Sequence, residues 1–412
     1  MMVCTTCSGP EGEARAQSST PVRVAIVSCY DKENYGSMLQ AYATQHYLEG
    51  MGAVAVTVDK SGLDREIAAG RRSYYLQNVL NFDLYTTKMG LVLHRVRQRI
   101  NPSFSASMRK RQLAFMDFAE SRFHLSPQTT SFADLSEYCK QFDAVVVGSD
   151  QLWLPVNIAG GFFTLSFVPD TTRRVSFATS FGISSLPGSF KERTAAFLRD
   201  FDSISVREES GRRIVEDLLG RSVEVVCDPT MLLTPDQWQA IEEEGFEIPD
   251  EPYVLCYFLG RNSWHRECAR TLADREGCKI VALTHLDEYI AHDELYADFT
   301  PYDVGPADFV KLVRNAQFVC TDSFHGSIFS VLFGRQFFSF RRHSAATSFS
   351  TNSRLDTLLE GLGLERRLIE NRVQFLEQAD APIDFHSPHQ EVAALKSRSH
   401  AYLRRALGCD GS

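Results

Sequence analysis

The chain has 412 residues, of which 44% are hydrophobic and 23% charged, an ordinary composition for a globular protein of two domains. Its net charge of −9 argues against a nucleic-acid partner. No apolar run approaches the roughly 20 residues of a membrane-spanning helix.

Residues 1–21 lack an apolar core and are rich in Ser, Thr, Gly and Glu. They read as a disordered leader rather than a secretory signal. Ten cysteines are present, and Cys227, Cys256 and Cys320 lie inside apolar runs, where a thiol packs as a small hydrophobe. Cys4 and Cys7 form a lone C-x-x-C without a second pair, so no structural metal is expected. The pattern suits a reducing cytoplasm.

Val22 to Ser28 alternates and is β-branched, which predicts a strand. Asn34-Tyr35-Gly36 then leads into a helix from Ser37 to Met51, stopped by Gly50 and Gly52. Ala53 to Asp59 is the next strand, which completes a βαβ unit. Residues 60–140 read as irregular and helical. From 88 to 111 the charges are all basic: Lys88, Arg95, Arg97, Arg99, Arg109, Lys110 and Arg111. This stretch predicts a solvated helix pair or, alternatively, a docking face for anionic lipid headgroups or an acidic glycan carrier. Strands follow at 142–147, 173–179, 203–206 and 223–227, with helices at 188–200 and 208–219. A helix over 235–245 bridges to a second alternation: 253–259, 264–276, 278–284, 306–315, 317–320, 327–334 and 336–340. Helices over 354–362 and 389–407 close the chain. Such alternation predicts parallel, doubly wound sheets. The expected division is leader 1–21, an N-terminal Rossmann-like, acceptor-side domain 22–234, a second Rossmann-like domain 235–385, and a C-terminal helix and tail 386–412.

Folds of this kind bind ligands beyond the carboxyl ends of their strands. Four turns carry polar residues there: Asn34-Tyr35-Gly36, Gly148-Ser149-Asp150-Gln151, Arg207 with Glu208 and Glu209, and Thr321-Asp322-Ser323-Phe324-His325-Gly326. None matches a dinucleotide fingerprint or a P-loop. The last turn opens a helix, where amides and the helix dipole favour an anion.

Six blocks together resemble the polysaccharide pyruvyl transferase family: N-Y-G-S-M-L-Q-A-Y-A at 34–43, V-V-G-S-D-Q-L-W at 146–153, S-V-R-E at 205–208, D-P-T-M-L-L at 228–233, T-D-S-F-H-G at 321–326 and S-R-L-D-T-L-L at 353–359. The resemblance spans about 22–365. It implies two Rossmann-like domains facing across a cleft, as in GT-B glycosyltransferases; the amphipathic pattern of 389–407 separately predicts a C-terminal helix packing back on the N-terminal domain. It implies phosphoenolpyruvate as co-substrate, no bound cofactor or metal, and a ketal-linked pyruvate placed on sugar hydroxyls of a glycan or its lipid-linked precursor. A cytoplasmic enzyme, peripheral at the inner membrane face through 88–111, follows as an expectation.

Phosphoenolpyruvate requires fixed cations and a general acid. His325 is the candidate acid, with phosphate ligand or helix cap as the other readings. Arg207 is the candidate anion clamp, with a surface ion pair as its plain alternative. Asn34, Tyr35, Gly36, Ser149, Asp150, Gln151, Ser323, Gly326 and Arg354 are candidate donor or substrate contacts. Asn34 and Asp150 read equally well as helix caps. Asp228-Pro229 reads as a structural turn, and Arg341-Arg342-His343 as a stretch that could face the cleft. A GT-B glycosyltransferase with a nucleotide-sugar donor is the alternative reading of the same turns.

Overall fold

The computed structural model describes residues 20–77, 102–242, 246–284, 290–342 and 353–409. Two parallel sheets form its frame. The first has the order β2-β1-β3-β4-β5-β6, built from β1 (Arg23–Val27), β2 (Val54–Thr57), β3 (Ala144–Val147), β4 (Arg173–Thr179), β5 (Ser203–Val206) and β6 (Glu224–Val225). The second has the order β11-β10-β9-β7-β8, built from β7 (Tyr253–Tyr257), β8 (Lys279–Leu283), β9 (Phe318–Thr321), β10 (Gln336–Phe340) and β11 (Leu368–Ile369). β3 is Ala-Val-Val-Val with every residue buried, the continuous apolar run that a strand covered on both faces requires.

Strand order reverses between β1 and β3 in the first sheet and between β7 and β9 in the second. These reversals open the crevices in which such sheets bind ligands. The turns that follow these four strands converge, and they carry the site.

The sheets do not have wholly separate cores. One apolar cluster runs from Val24 and Tyr35 through Trp238 to Leu255 and Phe329. Tyr35 stacks on Phe309 with ring centroids 4.8 Å apart and meets Tyr257 edge-on at 5.5 Å. The final helix, His386–Leu407, returns to the first sheet. There Ser399 accepts a bond from the Cys227 amide at 2.9 Å, and the Tyr402 hydroxyl donates to Ser176 O at 2.7 Å.

Three expectations need correction. The bridging helix spans only Pro235–Gln239, held by a capping box between Thr234 and Gln237. The helix expected over 327–334 is Phe324–Leu332, because Ser323 caps it by accepting the Gly326 amide at 3.3 Å. His325 and Gly326 therefore sit in its first turn. The basic stretch is not uniformly solvated. Arg111, in the Pro102–Arg122 helix, is fully buried and donates to Thr284 O and Oγ1, both at 3.1 Å. Arg109 and Lys110 are exposed, while Lys88, Arg95, Arg97 and Arg99 lie outside the described residues. Among the described residues no helix is long and apolar enough to cross a membrane.

Candidate active site

A cavity of about 170 Å³ lies where the two crevices meet. Lys32 and Asn34 reach it from beyond β1, Asp150 and Gln151 from beyond β3, Leu259 from beyond β7, and Ser323, Phe324 and His325 from beyond β9. Arg342, after β10, and Arg354 complete the wall with Ser37. Lys32, Arg342, Arg354 and the imidazole face one lining carboxylate, Asp150, so the cavity favours an anion. A larger hollow of about 970 Å³ lies beside the final helix, lined by Tyr47, Lys396 and His400. None of the polar strand-end turns reaches it, and we place the chemistry in the smaller cavity for that reason.

Beneath the cavity a buried ionic network joins the turns. Arg207 is buried, with Nη1 2.6 Å from Asp228 Oδ2 and Nη2 3.1 Å from Asp150 Oδ1. The guanidinium is bonded to two carboxylates and is not among the residues that line the cavity. Burial opposes its charge, but Asp228, Asp150 and Glu208 hold the proton on more firmly than usual. Burial alone would raise the Asp228 carboxyl. His325 and Arg207, with the Thr230 hydroxyl, hold it well below the usual carboxylate range instead. Asp150 behaves likewise: burial opposes, while Lys32, Arg207 and His325 dominate. Its backbone is left-handed, with φ 81°, and this places Oδ2 2.6 Å from the Ser37 hydroxyl.

His325 stands at the centre, 6% exposed. Nε2 lies 3.4 Å from Asp228 Oδ2 and has no hydrogen-bond partner among the described residues. The ring lies flat against Gly36, where an added Cβ would fall 1.9 Å from Nδ1. Gly36 is thus a glycine because the imidazole occupies its side-chain space. It makes room for His325 rather than serving as a contact itself.

Arg354 is a cavity-wall cation on which Asp150 and Glu208 act only from beyond ion-pair distance. It is 8% exposed, forms no ion pair among the described residues, and its Nε is buried without a hydrogen-bond partner. Burial and the like charge of Arg207 push it down to about 9, so it remains charged at neutral pH in a place that disfavours charge. Arg354 and Arg207 both stand over the Phe324 ring, at 5.6 and 4.8 Å. Gln151 also lines the cavity, with Nε2 buried and unpartnered.

The other expected contacts divide. Asn34 caps its helix by accepting the Ser37 amide at 3.1 Å and also lines the cavity. Ser323 does both as well, so its hydroxyl is already an acceptor. Tyr35 is a core residue whose hydroxyl donates to Val304 O at 3.2 Å. Ser149 is wholly buried, donates to Ala178 O at 2.7 Å and lies under the cavity floor. Gly326 gives its amide to Ser323, and a Cβ there would meet Thr321 Oγ1 at 2.6 Å. Arg342 lines the cavity, Arg341 turns away to Asp356 and Glu370, and His343 lies outside the described residues. Sequence reading missed Ser37 and Lys32 as wall residues. It also took Asp228 for a turn residue, which it is, since Oδ1 accepts the Thr230 amide at 3.0 Å, while its other oxygen serves the site.

Two parallel, Rossmann-like sheets bring their switch points to one polar cavity. Residues 34–344 match the polysaccharide pyruvyl transferase family, and the chain belongs to that family of transferases. No curated protein matches the sequence. Among solved structures, the UDP-GlcNAc 2-epimerase from Neisseria meningitidis bound to UDP-GlcNAc is 9% identical with TM-score 0.48, covering 93% of this chain and 99% of that chain. A glycosyltransferase from Rickettsia africae is 10% identical with TM-score 0.46, covering 96% and 100%. The UDP-N-acetylglucosamine 2-epimerase from Rickettsia bellii is 11% identical with TM-score 0.47, covering 94% and 97%.

Proposed function

We propose that this transferase moves the pyruvyl group of phosphoenolpyruvate, as a ketal, onto two hydroxyls of a sugar in a polysaccharide or its lipid-linked precursor. The observation that carries the donor is Arg354, a buried cation without an ion-pair partner among the described residues, facing His325 across an anion-favouring cavity. An ionised donor would supply the missing counter-charge through charge-assisted bonds. Arg342 and the Phe324 and His325 amides at the start of the Phe324–Leu332 helix would hold its second anionic group.

On this proposal His325 delivers a proton to the enol methylene carbon. The adjacent carbon becomes oxocarbenium-like and takes the oxygen of the first hydroxyl, whose proton returns to the imidazole. The carbon–oxygen bond to phosphate then breaks, phosphate leaves, and the second hydroxyl closes the ketal as its proton passes to the departing phosphate. The balance is one phosphoenolpyruvate and two hydroxyls giving one ketal and one phosphate. Buried, fixed donors stabilise the charge that develops. The proposal needs no metal, and it includes a cytoplasmic location and a peripheral contact of 88–111 with anionic lipid, to which exposed Arg109 and Lys110 contribute and buried Arg111 does not.

The test is phosphate release from phosphoenolpyruvate across a panel of glycan acceptors. Acceptor-dependent release that is lost in His325→Ala supports the proposal. Release of nucleoside diphosphate from a sugar nucleotide instead, with phosphoenolpyruvate untouched, refutes it.

A further inference from the structure

The Asp228 carboxylate has four lone-pair positions, and three are taken. Oδ1 accepts from the Thr230 amide at 3.0 Å and from its hydroxyl at 2.7 Å. Oδ2 accepts from Arg207 Nη1 at 2.6 Å. Ser149 Oγ also lies 3.3 Å from Oδ2, but its single proton goes to the nearer Ala178 O at 2.7 Å. One acceptor position on Oδ2 is left, and His325 Nε2 stands 3.4 Å from it, buried and unpartnered. A vacant acceptor and an unmatched ring nitrogen thus face each other under the cavity floor. An approach of a few tenths of an ångström would close the bond, and catalytic hydrogen bonds often tighten only when substrate is present.

We propose that Asp228 is the positioning residue for His325: it accepts a hydrogen bond from Nε2–H, fixes the tautomer of the neutral ring and leaves Nδ1 as the nitrogen that meets substrate, where the imidazolium gives its second proton and the neutral ring takes one back. Arg207 acts one step further back, by holding Asp228 in place. Asp150, Lys32, Arg342 and Arg354 are the other charged groups around the ring, and none of them hydrogen-bonds Nε2. The kinetic part of this inference rests on the pyruvyl-transfer reading above; the tautomer does not.

The first test is therefore made without substrate. In protein labelled with ¹⁵N-histidine, the His325 signals are assigned by their loss in His325→Gln, and the proton of the neutral ring is located by its couplings. A proton on Nε2 is expected, and one on Nδ1 overturns the proposal. The second test is kinetic. Asp228→Asn keeps the size of the side chain but presents an amide N–H₂ to donors. It should lower kcat by about 100-fold or more, with KM for phosphoenolpyruvate changed by less than about threefold. A loss confined to KM, or no loss, overturns the proposal. Should Asp228→Asn fail to fold, the wild-type tautomer decides alone. An Nε2-protonated ring in a protein that never turns over phosphoenolpyruvate would sink the donor assignment and leave the role of Asp228 standing.

Discussion

Replacing Gly36 by alanine should separate activity from stability. The new methyl carbon would fall 1.9 Å from His325 Nδ1, 2.4 Å from Cγ and 2.7 Å from Cε1. An ordinary contact needs about 3.5 Å, so the imidazole must retreat by roughly 1.5 Å. A misplacement of about 1 Å can cost on the order of 10²-fold in rate, and Gly36→Ala is expected to lose at least that much in kcat. The backbone has no matching grievance. Gly36 lies in the first turn of the Tyr35–Gly50 helix and is not among the glycines with positive φ. Alanine there gains about 0.5–1 kcal/mol of helix preference, which offsets part of the repacking cost. Calorimetry beside the phosphate-release assay checks both halves. A variant within about threefold of wild-type kcat, or one that unfolds, would refute the reasoning.

Arg354 and Arg207 should respond in opposite ways. Arg354→Gln removes a buried cation with no ion-pair partner among the described residues, so the melting temperature should hold or rise, while KM for phosphoenolpyruvate climbs about 10–150-fold, the equivalent of one charged hydrogen bond of roughly 1.5–3 kcal/mol. Arg207→Gln strands two buried carboxylates and should cost about 3–5 kcal/mol of stability in denaturant titration; a normal melt would show the network to be idle. The carboxyls of Asp150 and Asp228 are depressed when folded, so their contribution is present in full above the unfolded value of about 4. It is lost only as pH falls below that. Denaturant titrations from pH 7 to 2 should show the decline beginning near 4, and a decline centred near pH 6 would exclude these groups as its cause. Tyr35→Phe should leave kcat unchanged and cost about 1 kcal/mol for the lost bond to Val304; a kcat defect would return Tyr35 to the site.

Period and punctuation made the frame legible. The strands at 173–179, 203–206 and 336–340 and the helix at 306–315 match their predicted bounds, because apolar alternation, Gly stops and Pro starts act locally. The cavity-facing turns were legible for the same reason, since ligand crevices follow from strand order. What stayed hidden was pairing across the fold. Arg-Glu-Glu at 207–209 reads as a solvated helix start, and only the approach of Asp150 and Asp228, far away in sequence, turns Arg207 inward. Asp228-Pro229-Thr230 has a complete local reading as a capped turn, so nothing in its neighbourhood signals that Oδ2 has a second use. Arg111 was concealed by its basic neighbours, because a run of like charges does not reveal which member meets a partner such as Thr284.

The apolar cluster that threads both sheets bears on how the chain holds together. Tyr35 meets Phe309 across the connection near 235–250, and Trp238 within it packs between Tyr42 and Phe329. Severing the chain there would leave two fragments with raw apolar faces, each a poor guest in water and a good one for its own kind. Among the described residues the two sheets meet not at a bare seam but in one shared apolar cluster.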